Sequence, residues 1–241
     1  MNALLAFDTA TEHLSVALAV RDRVFTHHAA GGAQASAALI PAIQALLREA
    51  GIALDDLDAI AFGRGPGAFT GLRTACAVAQ GLALGAGKPV LPIDTLLAVA
   101  EDARAGAADA LRVWVTMDAR IDEIYAAQYQ FEAGAWSVLD APQLTSAEAL
   151  DARWRTEPAQ MIAGNALEVF AGRWATGSAR CVPQARPRAE AMLPLARALR
   201  ARGGAVDAAL ALPLYVRDKV AETTAERAAA RAARSVPETL R

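Results

Sequence analysis

The stretch Leu4-Leu5-Ala6-Phe7-Asp8-Thr9-Ala10 reads as a short buried strand that ends in a carboxylate. An unbroken apolar run bounded by polar residues is the pattern of a strand covered on both faces. Val113-Trp114-Val115-Thr116-Met117-Asp118-Ala119-Arg120 repeats that layout in the second half of the chain. In each half a further strand returns after the polar turn, Ser15 to Val20 in the first and Glu123 to Phe131 in the second. Strand, Asp, polar turn and strand occurring twice predict two lobes of duplicated topology facing a cleft. A chance match between two short strands is the competing account.

Working outward, Arg23 to His28 reads as a third strand, joined through an Arg21-Asp22 turn. The spacing of Leu39, Ile43, Leu46 and Leu47 predicts a helix from about Gln34 to Ala50, stopped by Gly51. Pro41 lies inside that pattern, so the helix either kinks there or begins there. A strand at Asp58 to Phe62, a glycine-rich loop, a helix from about Gly71 to Gly85 and a strand at Pro89 to Ile93 follow. After a further helix and the small-residue linker Ala103 to Ala107 come strands at Leu111 to Met117, Glu123 to Phe131 and Trp136 to Leu144. Glu132 to Ala135 forms the hairpin turn between the last two. A helix from Ser146, as its N-cap, to Trp154 comes next. A strand at Gln160 to Ala163, a short helix at Ala166 to Gly172 and a helix over 188–202 complete the pattern. The expectation is an α/β protein of mixed sheets flanked by helices. Residues 1–106 form one lobe; 107–221 form a smaller second lobe, whose helix 188–202 can pack back on the first. Residues 222–241 form a charged, alanine-rich flexible tail.

The 241 residues are 54% hydrophobic, ample for a core, and contain no purely apolar run of about twenty residues. Met1-Asn2-Ala3 lacks a basic leader region, and Cys76 and Cys181 have neither disulfide-framework nor metal spacing. A cytoplasmic protein with no membrane role is expected. The formal net charge is −2 and Lys88 and Lys219 are the only lysines, so no basic field is available to capture nucleic acid.

The loop Gly63-Arg64-Gly65-Pro66-Gly67-Ala68-Phe69-Thr70-Gly71-Leu72-Arg73 joins a strand to a helix. Such a joint can aim its N–H groups at an anion or at another chain, or simply hold the helix close to the sheet. No Gly-Lys-Ser/Thr follows, so it is not a P-loop, and the glycine spacing does not fit a dinucleotide fingerprint. Asp8, Gly65, Gly67 and Asp118 are the candidates for nucleotide contact. A strand-end carboxylate beside Thr9 and Thr11 can hold hydrated magnesium near a phosphate, or can accept the N–H groups of its own turn. His13, His27 and His28 fit no metal spacing, and Ser15 and Ser36 stand in no recognisable nucleophile motif. In the helix after the loop, small residues recur at 71, 75 and 79 and again at 77, 81 and 85. A helix apolar on every side should be covered on every side; a sheet covers one, which leaves another for a partner.

Taken together, Leu4 to Glu12 with Ser15 to Leu18, the Gly63 to Arg73 loop, Ala79-Gln80-Gly81-Leu82-Ala83, Asp118-Ala119-Arg120 before Glu123-Ile124-Tyr125, and Pro213-Leu214-Tyr215-Val216-Arg217 resemble the TsaB family. The resemblance runs from residue 1 to about 220. It implies an actin-like, ribonuclease-H-like two-lobed fold and an accessory, non-catalytic role. The implied product is threonylcarbamoyladenosine, made beside the tRNA anticodon by a TsaD-type catalytic paralogue. The implied partners are that paralogue, a second copy of this chain and, through the assembly, a TsaE-type ATPase; tRNA is reached only indirectly and no cofactor is expected. Association through helices of the first lobe maps here onto about 34–49 and 71–85. The expected interface is Ser36, Leu39 and Ile43 with Arg73, Thr74, Ala77, Val78, Gly81 and Leu82. Many relatives carry His-Ser or His-Thr where this chain has Ala35-Ser36, and Gly164-Asn165 resembles a remnant of an adenosine-binding turn. The alternatives are a weak ATP-binding or ATP-hydrolysing enzyme of the sugar-kinase-like fold and, last for want of metal ligands, a metallopeptidase.

Overall fold

In the computed structural model, which describes residues 2–104 and 110–217, each half of the chain builds one five-stranded sheet. The first half runs β1 (Ala3–Asp8), β2 (His13–Val20), β3 (Arg23–Ala30), α1 (Ala35–Ala50), β4 (Ala59–Gly65), α2 (Phe69–Ala86), β5 (Val90–Asp94) and α3 (Thr95–Arg104). The second runs β6 (Leu111–Arg120), β7 (Glu123–Glu132), β8 (Ala135–Thr145), α4 (Ala147–Thr156), β9 (Met161–Ala163), α5 (Ala166–Val169), β10 (Arg180–Val182) and α6 (Ala189–Ala201). The sheet orders are β3-β2-β1-β4-β5 and β8-β7-β6-β9-β10, one plan used twice. In each, an antiparallel three-strand meander is extended on the far side of its first strand by two parallel strands. The duplicated architecture expected from the two strand–Asp motifs is therefore present.

All six residues of β1 are buried, because the strand is covered on both faces. Successive side chains of a strand point to opposite sides. Leu5 and Phe7 accordingly join Leu39, Ile43, Ala75 and Ala79 under α1 and α2. Leu4 and Ala6 face Met192, Leu193 and Ala196 of α6, a helix of the second half. The reverse loan is made by α3, whose Leu96, Val99 and Ala100 pack against Val113, Val115 and Tyr129 of the second sheet. The outer face of that sheet is closed by α4 and α5 around Trp114, Trp154 and Phe170.

Local signals set the boundaries. Gly51 at φ 71° ends α1, and Ser146 caps α4 by accepting the Ala149 N–H at 3.2 Å. Ala133 and Gly134, both at positive φ, turn the β7–β8 hairpin. α1 starts at Ala35 and continues through Pro41, so the proline marks no start. β10 was not expected; it is three residues long and mostly exposed, too short to show a periodic pattern. Residues 105–107 of the expected linker and the expected tail 222–241 lie outside the described residues.

Candidate functional site

The loops after β1, β4 and β6 meet the segment 211–217 around a cavity of about 400 Å³. Ala10, Gly67 and Phe69 line it from the first lobe, Asp118, Arg120 and Tyr125 from the second, and Tyr215 and Arg217 from the segment. Hydrogen bonds strap that segment across both lobes. Leu214 N–H donates to the Arg64 carbonyl at 2.7 Å, and the Ala211 carbonyl accepts from Gln80 Nε2 at 2.9 Å. Tyr215 packs on Phe69, ring centroids 5.4 Å apart, and its hydroxyl accepts from Arg73 Nε at 3.2 Å. Arg217 then reaches the second lobe, donating to the Ala119 carbonyl at 3.0 Å and pairing with Glu123.

The glycines of the loop serve close approach within the chain. A Cβ on Gly67 would lie 2.6 Å from the Ala10 carbonyl oxygen, and one on Gly65, at φ +115°, 2.7 Å from that of Leu214. Gly71 is tighter still: a Cβ there would sit 1.9 Å from the Thr9 carbonyl oxygen, while Thr9 Oγ1 donates to the Gly71 carbonyl at 2.7 Å. Of the two alternatives left open for this loop, the described geometry is that of a helix held against the sheet.

Asp8 does not line the cavity. It is 1% exposed, its Oδ1 accepts the Ala10 N–H at 2.7 Å and its Oδ2 accepts from Thr95 Oγ1 at 3.0 Å. Burial pushes its carboxyl up to about 6, against the pull of those two hydrogen bonds. Asp118 does line the cavity, but its Oδ1 accepts the Arg120 N–H at 2.9 Å and its carboxylate pairs with the Arg120 guanidinium at 3.0 Å. Asp8, expected with Asp118 among the nucleotide contacts, is thus withdrawn from the cavity, and the two strand-end carboxylates are not equivalent positions. Counting from the parallel partners Phe7↔Phe62 and Val115↔Ala163, the position equivalent to Asp8 is Thr116, and Asp118 stands two residues further on. Asn165 braces this strand end by accepting the Asp118 N–H at 3.0 Å. Gly164, at φ +113°, lets its chain pass the Thr116 carbonyl, so the Gly164-Asn165 pair has a structural duty.

One constellation was missed in the sequence because its members are far apart. Ser15 Oγ lies 3.2 Å from His28 Nδ1, and His28 Nε2 lies 3.3 Å from Glu190 Oε1. Ser15 is 5% exposed and its Oγ accepts the Ala189 N–H at 2.7 Å, so the hydroxyl anchors the start of α6.

The second candidate surface is the outer side of α1 and α2. Gly71, Ala75 and Ala79 face inward, while Arg73, Ala77, Gly81 and Leu84 are exposed, Leu84 at 79%. Thr74, Val78 and Leu82 are half-buried, and Ser36 and Ile40 of α1 are exposed. A Cβ on Gly81 would meet nothing within 4 Å. Leu39 and Ile43, expected at this surface, are 0% and 1% exposed and belong to the chain's own core, because the apolar stripe of α1 faces the sheet. Among the described residues no helix is long and apolar enough to cross a membrane. No group of three or more His, Cys, Asp or Glu among them could hold a metal ion.

Residues 26–171 match the family model described as "TsaD: tRNA N6-adenosine threonylcarbamoyltransferase". The chain is 36% identical over 229 residues to the "tRNA threonylcarbamoyladenosine biosynthesis protein TsaB" of Escherichia coli (strain K12), covering 90% of this chain and 96% of that protein. The chain belongs to the TsaB family. The Haemophilus influenzae TsaB is 34% identical over 227 residues, 90% of this chain and 94% of its own. The solved structure "YeaZ from Pseudomonas aeruginosa" superposes with a TM-score of 0.80 at 38% identity, covering 89% of this chain and all of that one. The TsaB fold thus accounts for nearly the whole described chain.

Proposed function

We propose that this chain is a non-catalytic subunit of the machinery that makes threonylcarbamoyladenosine in tRNA. In this reading it binds and stabilises a TsaD-type catalytic paralogue in the cytoplasm. The observation that carries the reading is the near full-length identity to proteins named for threonylcarbamoyladenosine biosynthesis. The exposed side of α2 supports it. Ala77, Gly81 and Leu84 form a strip of small and apolar groups that nothing among the described residues covers, which suits close approach of another helix. With Leu39 and Ile43 withdrawn, the proposed contact set is Ser36 with Arg73, Thr74, Ala77, Val78, Gly81 and Leu82, joined by Ile40 and Leu84. A second copy of this chain would use the same strip, so self-association and binding of the paralogue compete. A TsaE-type ATPase would join through the assembly, and tRNA would be met through the paralogue, since a net charge of −2 gives this chain no overall basic field.

Nothing in the cleft favours phosphoryl transfer. Asp8 is buried and committed to Ala10 and Thr95, and Asp118 is committed to Arg120. The test is to deplete the chain from its own cells and measure threonylcarbamoyladenosine in total tRNA by mass spectrometry. A fall that a Gly81→Arg copy cannot restore supports the reading; an unchanged level rejects it.

A further inference from the structure

A second cavity, of about 470 Å³, lies on the side of the molecule where the free edge of β5 meets α3, α6 and the β7–β8 hairpin. An open strand edge beside a groove ordinarily invites an added strand. Here Val90 exchanges both backbone hydrogen bonds with Val206, at 2.9 Å each, so residues 90, 92 and 94 are those whose backbone faces outward. The next outward position is Pro92, which has no N–H to give. The edge is blocked to a peptide, so an occupant must be held by side chains.

Those side chains form an apolar slot with one polar end. Trp136 lies edge-on to Tyr129, ring centroids 6.4 Å apart, and its indole is fixed by donating to Glu101 Oε2 at 2.7 Å. Leu195 and Leu199 of α6 line the opposite wall. At the polar end Arg64 holds Asp94 through its Nε, which leaves the outer nitrogens of the guanidinium fork for a second acceptor. Tyr129 is 0% exposed and its hydroxyl, in the field of Asp94 and Arg64, has no hydrogen-bond partner. A buried hydroxyl without a partner costs stability, and Tyr129 borders the groove, so a ligand that displaces the side chains over it would supply the missing acceptor. Burial and the Asp94 carboxylate push the phenol well above its usual range, so it stays protonated and is a donor looking for an acceptor. Arg64, Arg104 and Arg202 outnumber Asp94 and Glu101 along the lining, which favours an anion.

We propose that this groove binds a small aromatic monocarboxylate, its ring in the slot beside Trp136 and its carboxylate on Tyr129 Oη and Arg64. The site is separate from the cleft lined by Asp118 and from the outer strip of α2, so it stands whether or not the subunit reading does. Isothermal titration of the purified full chain with indole-3-acetate, in parallel with indole-3-acetamide, tests it. Saturable binding of the acid is expected, and the amide should bind about tenfold more weakly, as should the acid to Tyr129→Phe, which keeps the ring and loses one charge-assisted hydrogen bond. Ser137→Trp, an exposed position that lines the groove, should abolish binding without disturbing the core. No saturable binding of the acid overturns the proposal. Equal binding of acid and amide overturns the carboxylate assignment, and affinity unchanged in both variants places the probe elsewhere and overturns the site.

Discussion

Gly81 separates what the chain needs for itself from what it needs for a partner. It sits inside α2 at an exposed position, where a Cβ would meet nothing within 4 Å. Glycine inside a helix costs about 1 kcal/mol relative to alanine through backbone entropy, and no contact among the described residues offsets that. Gly81→Ala should therefore stabilise the isolated chain by about 0.5–1 kcal/mol, which for a protein of this size raises Tm by about 1–4 °C. Gly81→Arg should leave the fold intact for the same reason, since its side chain enters open space. In association the signs reverse. A methyl group on the strip should weaken binding of the TsaD-type partner, and an arginine should weaken it at least tenfold, about 1.4 kcal/mol or more. Thermal melts of the three chains alone, and light scattering of each mixed with the partner from the same source, measure both halves. If Gly81→Ala lowers the melting temperature, the glycine serves the chain itself. If Gly81→Arg forms the complex as the parent does, the strip is not the interface.

Three further outcomes follow from the same geometry. Gly71→Ala, on the opposite side of α2, should cost about 3 kcal/mol or more in urea unfolding, because its Cβ would sit 1.9 Å from the backbone oxygen of Thr9; a loss under about 1 kcal/mol would show that the β1–β2 turn gives way freely. The Asp8 carboxyl titrates near 6 in the folded chain against 3.8 as its ordinary value. Below the lower value both states hold the proton and no penalty exists; the penalty grows as pH rises and is complete above the folded value, reaching about 3 kcal/mol. Asp8→Asn should therefore gain on the parent as pH rises from about 4 to 7, and parallel stability curves would contradict the assignment. Arg217→Ala removes the tie of the 211–217 strap to Glu123 and Ala119, so the Leu214 amide should exchange about tenfold faster, read by hydrogen-exchange mass spectrometry; unchanged protection would mean the Arg64 contact holds the strap alone.

Much of the architecture is legible in the sequence because its signals are local. β1 is an apolar run ended by Asp8, α1 is stopped by Gly51, and α4 opens on Ser146, each governed by residues within a turn or two. The errors arose where a distant partner decides. Asp118 mimics Asp8 along the chain, but its strand runs two residues further before turning, and only pairing with β9 reveals the offset. The helical spacing of Leu39 and Ile43 marks an apolar stripe without saying whether the stripe meets the chain's own sheet or another molecule. Ser15, His28 and Glu190 come from three elements, and nothing in the sequence ties them together. The small-residue pattern of α2 carried both uses at once: 71, 75 and 79 serve the sheet, while 77 and 81 are left at the surface.

The loan of α3 to the second sheet and of α6 to the first bears on how the molecule comes into being. A chain emerging from its N-terminus completes the first sheet by Asp94, yet the inner face of that sheet stays wet until Ala189–Ala201 has been made. Contacts between β1 and α6 span most of the sequence, so closure of the loop joining them is a late and slow event. The first sheet therefore cannot be covered on both faces until the second has been made. Disturbing one half removes the roof from the other, and the pair must melt as a single unit although the sequence reads as two. A break between Arg104 and Leu111 would for the same reason leave one particle, its pieces held by each other's helices.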